Sequence, residues 1–251
     1  MIIDHTDAPG RTFLHDLQFD FEASQAGLRG TLTLTPEMLT PDLERPLLSV
    51  LATVADVFTG IPISTSRPGT VALTVDLGLR LLRAVGAGRY AIESTMVKNG
   101  RTVIVTEAMI SEDDGPIAHC WATFVPFSVP GFVSGSAKSG PPIGEGGLSE
   151  PFIEAVGVRV VDDGVAEVDK TAYTLQPAGT IQGGTLCALI EAAGASVLGR
   201  PLADIDARFL ATVKVGPARA TASVLDERTA RVTVVDAGDA DRVTTVALVR
   251  A

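Results

Sequence analysis

Gln176-Pro177-Ala178-Gly179-Thr180-Ile181-Gln182-Gly183-Gly184 runs directly into Thr185-Leu186-Cys187-Ala188-Leu189-Ile190-Glu191. A turn rich in Pro and Gly opens an apolar helix that carries a single acid. The first half of the chain repeats this build in Leu48-Ser49-Val50-Leu51-Ala52-Thr53-Val54-Ala55-Asp56, with its acid at the matching place. A duplicated chain with one acid per apolar helix points to one composite site made from two halves.

Outward from these helices the repetition continues. The segment from Val75 to Gly88 is echoed by that from Ala203 to Gly216, with Asp76 and Asp204 offset by 128. Arg101-Thr102-Val103 answers Arg228-Thr229-Ala230 at an offset of 127, and Ala26-Gly27-Leu28 answers Asp163-Gly164-Val165 at 137. Small drifts in offset read as loop insertions, because the order of elements is kept. Each half begins with a short alternating strand (30–34; 165–168), continues through a turn and one long apolar helix, and ends in β-rich segments. Those segments fall at 71–82, 90–98, 102–111 and 117–125 in the first half, and at 206–213, 218–225, 230–236 and 242–250 in the second. Period-two alternation such as Val103-x-Val105 and Val232-x-Val234 fits strands with one buried face. Asn99-Gly100 and Asp113-Asp114-Gly115 supply hairpin turns. One helix per antiparallel sheet makes an α+β fold, with the sheet expected to wrap the helix. The expected boundaries are a first repeat over 14–128, a Gly/Ser/Pro-rich linker over 129–150, and a second repeat over 151–251.

Residues three and four apart share a helix face. Gly184, Cys187, Ala188, Glu191, Gly194 and Ala195 therefore form a small-residue face, as do Ser49, Ala52, Thr53, Asp56 and Gly60. Both acids sit on the face with room for a partner or ligand. Glycines at Gly183-Gly184 let a ligand carbonyl approach the unpaired N–H groups of the helix start. Glu191 is seven residues beyond Gly184, roughly 10 Å along the axis. The acid serving that end must come from the other helix, which is Asp56. Twofold pairing likewise sends Glu191 to the more crowded Leu48-Ser49 end. Plainer readings stand beside these: either acid could be structural, Gly183-Gly184 could be a packed helix start, and Gln176 could be a turn residue.

Composition narrows the rest. With 46% hydrophobic residues the chain can fill a substantial core, and a net charge of −10 argues against nucleic acid, whose phosphates need a basic surface. Charged, Gly or Pro residues interrupt the apolar runs before about 20 residues, so no membrane span is expected. The N-terminus lacks the pattern of a signal peptide, which suggests a cytoplasmic protein. Cys120 and Cys187 lie in apolar segments and read as reduced core residues. His5, His15 and His119 show no metal or triad spacing, and His119 reads as a strand or core residue.

Taken together, these residues resemble the hotdog-fold acyl-CoA thioesterases of the phenylacetyl-CoA and hydroxybenzoyl-CoA type. That family's motif is Asn or Gln, then Pro-x-Gly-x-x-His-Gly-Gly, then an acid nine residues after the His. Gln176-Pro177-x-Gly179-x-x-Gln182-Gly183-Gly184 and Glu191 match it, with Gln182 in place of the His. The likeness covers nearly the whole chain as a tandem double hotdog. It implies hydrolysis of an acyl-CoA to free acid and CoA, with no cofactor or metal beyond the CoA of the substrate, and further assembly of such chains into a homo-oligomer. It also implies Asp56 and Glu191 as catalytic candidates and Gln176, Gln182, Gly183 and Gly184 as substrate-binding residues. Arg80, Arg83, Arg208 and Lys214 are candidates for the CoA phosphates. A degenerate site would leave instead a non-catalytic acyl-CoA binding protein.

Overall fold

The computed structural model describes residues 11–67, 69–128, 146–176 and 179–251. His5, most of the expected linker (129–145), and Pro177-Ala178 of the motif lie outside the described residues. The first half comprises β1 (Phe19–Ala23), β2 (Leu28–Leu34), α1 (Leu48–Ser66), β3 (Thr70–Leu81), β4 (Gly88–Asn99), β5 (Ile104–Glu112) and β6 (Gly115–Ser128). After a single helical turn, α2 (Phe152–Ala155), come β7 (Arg159–Asp162), β8 (Val165–Val168), α3 (Gly183–Leu198), β9 (Asp204–Phe209), β10 (Ala218–Asp226), β11 (Thr229–Asp236) and β12 (Arg242–Arg250).

All 12 strands join one antiparallel sheet in the order β1-β2-β4-β5-β6-β3-β9-β12-β11-β10-β8-β7. Read from either end, the order names equivalent elements of the two halves. The fold is a double hotdog: one sheet, two core helices. At its centre β3 pairs with β9, Asp76 opposite Arg208 and Arg80 opposite Asp204. The resulting ion pairs, 2.8 Å for Arg208–Asp76 and 3.2 Å for Arg80–Asp204, are reciprocal, as a twofold relation requires. Edge strands β1 and β7 are additions to the sequence expectation. Phe19-x-Phe21 carries the alternation of β1, whereas every residue of β7 is exposed and leaves no hydrophobic period to read.

Helix α1 is long and apolar enough, by length and composition, to cross a membrane. Its residues are the core around which the sheet wraps, with Leu48 to Ala55, Phe58, Thr59 and Ile63 buried. A helix buried on most sides has no need of a polar stripe. Pro62 lies inside it and leaves the Phe58 carbonyl without a helical N–H. The buried Ser94 hydroxyl of β4 donates to that carbonyl at 2.8 Å, which lets the helix run on to Ser66.

Strand β3 carries a bulge where its pairing with β6 steps from Thr74↔Phe124 to Asp76↔Thr123. Beyond the bulge Leu77 and Leu79 point into the core; before it, the helix side is taken by Thr70, Ala72 and Thr74. One extra residue has changed which parity faces inward. Strand β9 stops at Phe209, short of the expected Val213. Leu210 and Ala211 N–H both turn to the Thr244 carbonyl, at 2.8 and 3.1 Å. The N–H groups of Lys214, Val215 and Gly216 donate to the buried Asp236 carboxylate at 2.7–3.0 Å. Side-chain capture satisfies this backbone, so no neighbouring strand is needed.

Candidate active site

Between α1, β3, the start of α3 and the segment after β9 lies a cavity of about 250 Å³. Asp56, Gln176, Gln182, Gly183 and Gly184 all line it. Five sequence-derived site residues from both repeats thus meet at one place. The remaining wall is mostly apolar, including Ala52, Leu77, Ile181, Leu186 and Phe209. Cys187 lines it as well, its thiol held neutral because burial pushes its pKa up. Cys120 and Cys187 are both buried and unbonded, as expected.

Asp56 is partly buried and accepts a 2.7 Å hydrogen bond from the Thr74 hydroxyl on its Oδ1. Burial pushes its pKa up to about 6, against the opposing pull of that hydrogen bond. A carboxylate poised near neutrality, in reach of a cavity, is suited to take and return a proton. Thr74 is the functional candidate missed in the sequence. In a regular β3 its side chain would face away from α1; the bulge turns it inward.

The start of α3 is capped by its own chain. Gln182 takes an extended conformation and its side-chain oxygen receives the Gly184 N–H. The two glycines serve different ends. A Cβ on Gly184 would lie 2.0 Å from Thr53 Oγ1, so this glycine permits the close crossing of α3 on α1. A Cβ on Gly183 would meet nothing nearer than Phe209 Cζ at 3.9 Å, so Gly183 is the one facing open space. Further along the helix, Gly194 admits Val249 of β12, 2.7 Å from where its Cβ would stand. Much of the small-residue face serves backbone packing. The Gln176 amide is engaged by the Thr180 hydroxyl, and the turn closes through Gln176 N–H to the Thr180 carbonyl at 3.0 Å.

Glu191 is placed elsewhere. It is 3% exposed, outside the cavity wall, and its carboxylate receives Leu48 N–H at 2.8 Å, Ser49 N–H at 2.9 Å and the Ser49 hydroxyl at 2.6 Å. Burial raises its pKa while those three hydrogen bonds oppose the rise. It acts as the N-terminal cap of α1, whose own Leu47 has no side-chain acceptor. Twofold pairing thus brings Glu191 to the Leu48-Ser49 end, as expected, and there both of its oxygens already accept hydrogen bonds. The arginines expected at the CoA phosphates are also otherwise engaged. Arg80 and Arg208 pair across the β3–β9 seam, and Arg83 pairs with Glu112.

No protein-family model matches the chain, and no curated protein matches it in sequence. Solved structures do match in fold. The 12:0-ACP thioesterase from Umbellularia californica superposes with a TM-score of 0.63 at 11% identity, covering 92% of this chain and 98% of its own. An acyl-ACP thioesterase from Bacteroides thetaiotaomicron VPI-5482 gives 0.61 at 11% identity, covering 88% and 96%. A conserved protein of unknown function with a hot dog fold from Alicyclobacillus acidocaldarius gives 0.57 at 14% identity, covering 100% and 98%. Identities this low speak for a shared fold alone.

Proposed function

We propose that this chain is a thioester hydrolase that cleaves an acyl-CoA at one site between its two repeats. The observation that carries this reading is Asp56, a carboxylate with a pKa near 6, bordering the same cavity as the start of α3. The thioester carbonyl would lie at that helix start, where N–H groups and the helix dipole favour developing negative charge. Asp56 would take a proton from water as it attacks the carbonyl carbon. Collapse of the tetrahedral adduct would break the C–S bond, and Asp56 would return the proton to the departing thiolate. The products are a free acid and a thiol, with no cofactor. Thr74 would hold the carboxylate in register throughout. Two of the solved structures that share the fold are named as acyl-ACP thioesterases, which supports an acyl thioester as the substrate class.

A non-catalytic acyl-CoA binding protein is the second reading, favoured by the Gln182 side chain that already holds the Gly184 N–H. Thiol release from short, medium, long and aromatic acyl-CoAs separates the two. Turnover by the wild type that is lost in Asp56→Asn and kept in Glu191→Gln supports hydrolysis at the Asp56 site. Acyl-CoA binding with no thiol released from any substrate would sink it.

A further inference from the structure

We infer that the group receiving the substrate carbonyl oxygen in this cavity is the side-chain amide of Gln182, acting with the Gly183 N–H, and not the Gly184 N–H. The inference rests on reading the cavity as a thioester site. It starts from the duplication, because the other half shows what an occupied helix start looks like. There one carboxylate, that of Glu191, collects the N–H groups of Leu48 and Ser49 and the Ser49 hydroxyl. The acids Asp56 and Glu191 are 135 residues apart, and the same offset carries Leu48 to Gly183 and Ser49 to Gly184.

On α3 that three-donor cradle is altered at each position. The hydroxyl is gone, because Gly184 replaces the serine. The Gly184 N–H is already bonded to Gln182 Oε1, and Gly184 is further shut in by Thr53. The Gly183 N–H has no acceptor among the described residues, and Gly183 borders the cavity. One backbone donor therefore stays open, and a second must come from elsewhere.

Gln182 supplies it. An N–H can bond only the oxygen of a carboxamide, so the bond from Gly184 settles which way the amide lies. Nε2, with two N–H donors, is turned away from Gly184 and has no acceptor among the described residues, while Gln182 itself lines the cavity. Only 7% of the residue is exposed and it lines the cavity, so its amide N–H groups are left to whatever fills that cavity, and a carbonyl there can accept from them. The self-cap thus orients a side-chain donor beside the open Gly183 N–H. A preoriented donor of this kind is worth about 10²–10³ in turnover.

The experiment uses full-length Gln182→Glu and Gln182→Ala. Glutamate keeps an acceptor for Gly184 but has no N–H to offer; alanine removes the donor and uncovers the Gly184 N–H. The probe is an acyl-CoA analogue in which CH2 replaces the thioester sulfur, ¹³C-labelled at the ketone. Its carbonyl stretch is read when bound, beside kcat and KM for thiol release and the melting temperature of each variant. Expected are a lowered stretch in the wild type, loss of that lowering in both variants, and a fall of about 10²–10³ in kcat with little change in KM. A lowered stretch or faster turnover in Gln182→Ala would mean that Gln182 merely covers the Gly184 donor, and overturns the inference. A wild type that fails to bind the ketone overturns it too, along with the site. Binding with the expected carbonyl pattern but without thiol release upholds the donor assignment while rejecting hydrolysis.

Discussion

Glu191 meets Ser49 twice on one oxygen, through the N–H at 2.9 Å and the hydroxyl at 2.6 Å, and so closes the start of α1 with an acid from the other repeat. The twofold counterpart would be Asp56 closing the start of α3. It does not occur. Aspartate is one methylene shorter, and its Oδ1 is held by Thr74 on β3. One helix start is filled and the other borders a cavity, so an approximately symmetric fold carries an asymmetric pair of sites.

Because burial holds the Asp56 proton up to about pH 6, kcat/KM for thiol release should rise as pH passes through that value. Stability should move the opposite way. The folded state keeps this proton well above the ordinary 3.8, so the stabilisation is complete below that value and is lost as pH rises toward 6. At pH 7 the charge costs up to about 3 kcal/mol, and Asp56→Asn should recover it while losing turnover by about 10²–10⁴. Urea unfolding at pH 4 and pH 7 checks this. An Asn variant no more stable at pH 7 than the wild type contradicts it.

Thr74→Val removes the hydroxyl that lowers the Asp56 pKa. The pH midpoint of activity should then shift upward, with a deficit of about tenfold near pH 6 that narrows toward pH 8. Thr74→Ser should restore the wild-type profile. If the profile stays put in the valine variant, the hydroxyl plays no part in holding the base.

Glu191→Ala should unfold more readily by about 3 kcal/mol, since it strands two backbone N–H groups and a buried hydroxyl at once. Activity per folded molecule should stay within a few-fold. A variant that folds normally but has lost turnover would return Glu191 to the chemistry.

The two glycines at the start of α3 should separate cleanly. Gly184→Ala places a Cβ 2.0 Å from Thr53 Oγ1 and should cost several kcal/mol in the melting transition. Gly183→Ala has open space and gains helix propensity, so stability should change by less than about 1 kcal/mol. Its effect should appear in kcat/KM, where the new methyl meets the substrate. Equal melting temperatures for the two variants would refute the division of roles.

Much of the fold was readable from local signals. The helix carrying Asp56, the helix carrying Glu191 and most strands of each half appear as expected, because hydrophobic period and turn residues are written in neighbouring positions. The parity of β5 is the reverse of the Val103-x-Val105 reading: Ile104, Thr106, Ala108 and Ile110 are buried and Val103 is exposed, since three successive apolar residues leave either parity open. Edge strand β7 was not readable, having no buried face. Nor was the end of β9, where the Leu210 and Ala211 N–H groups turn to the Thr244 carbonyl and Asp236, 20 to 22 residues on, holds the N–H groups of Lys214 to Gly216.

The site divides the same way. From sequence alone came the duplication, the two acids, and the convergence of Asp56 with Gln176, Gln182, Gly183 and Gly184, since a twofold pairing of repeats leaves few other arrangements. Only the tertiary structure decided that Glu191 is spent on Ser49, that Thr74 reaches Asp56 across a bulge, and that Gly184 serves Thr53. Each of these turns on one methylene, one extra strand residue or one missing Cβ. Such differences are too small to alter a hydrophobic pattern, yet they decide which groups come within hydrogen-bonding distance.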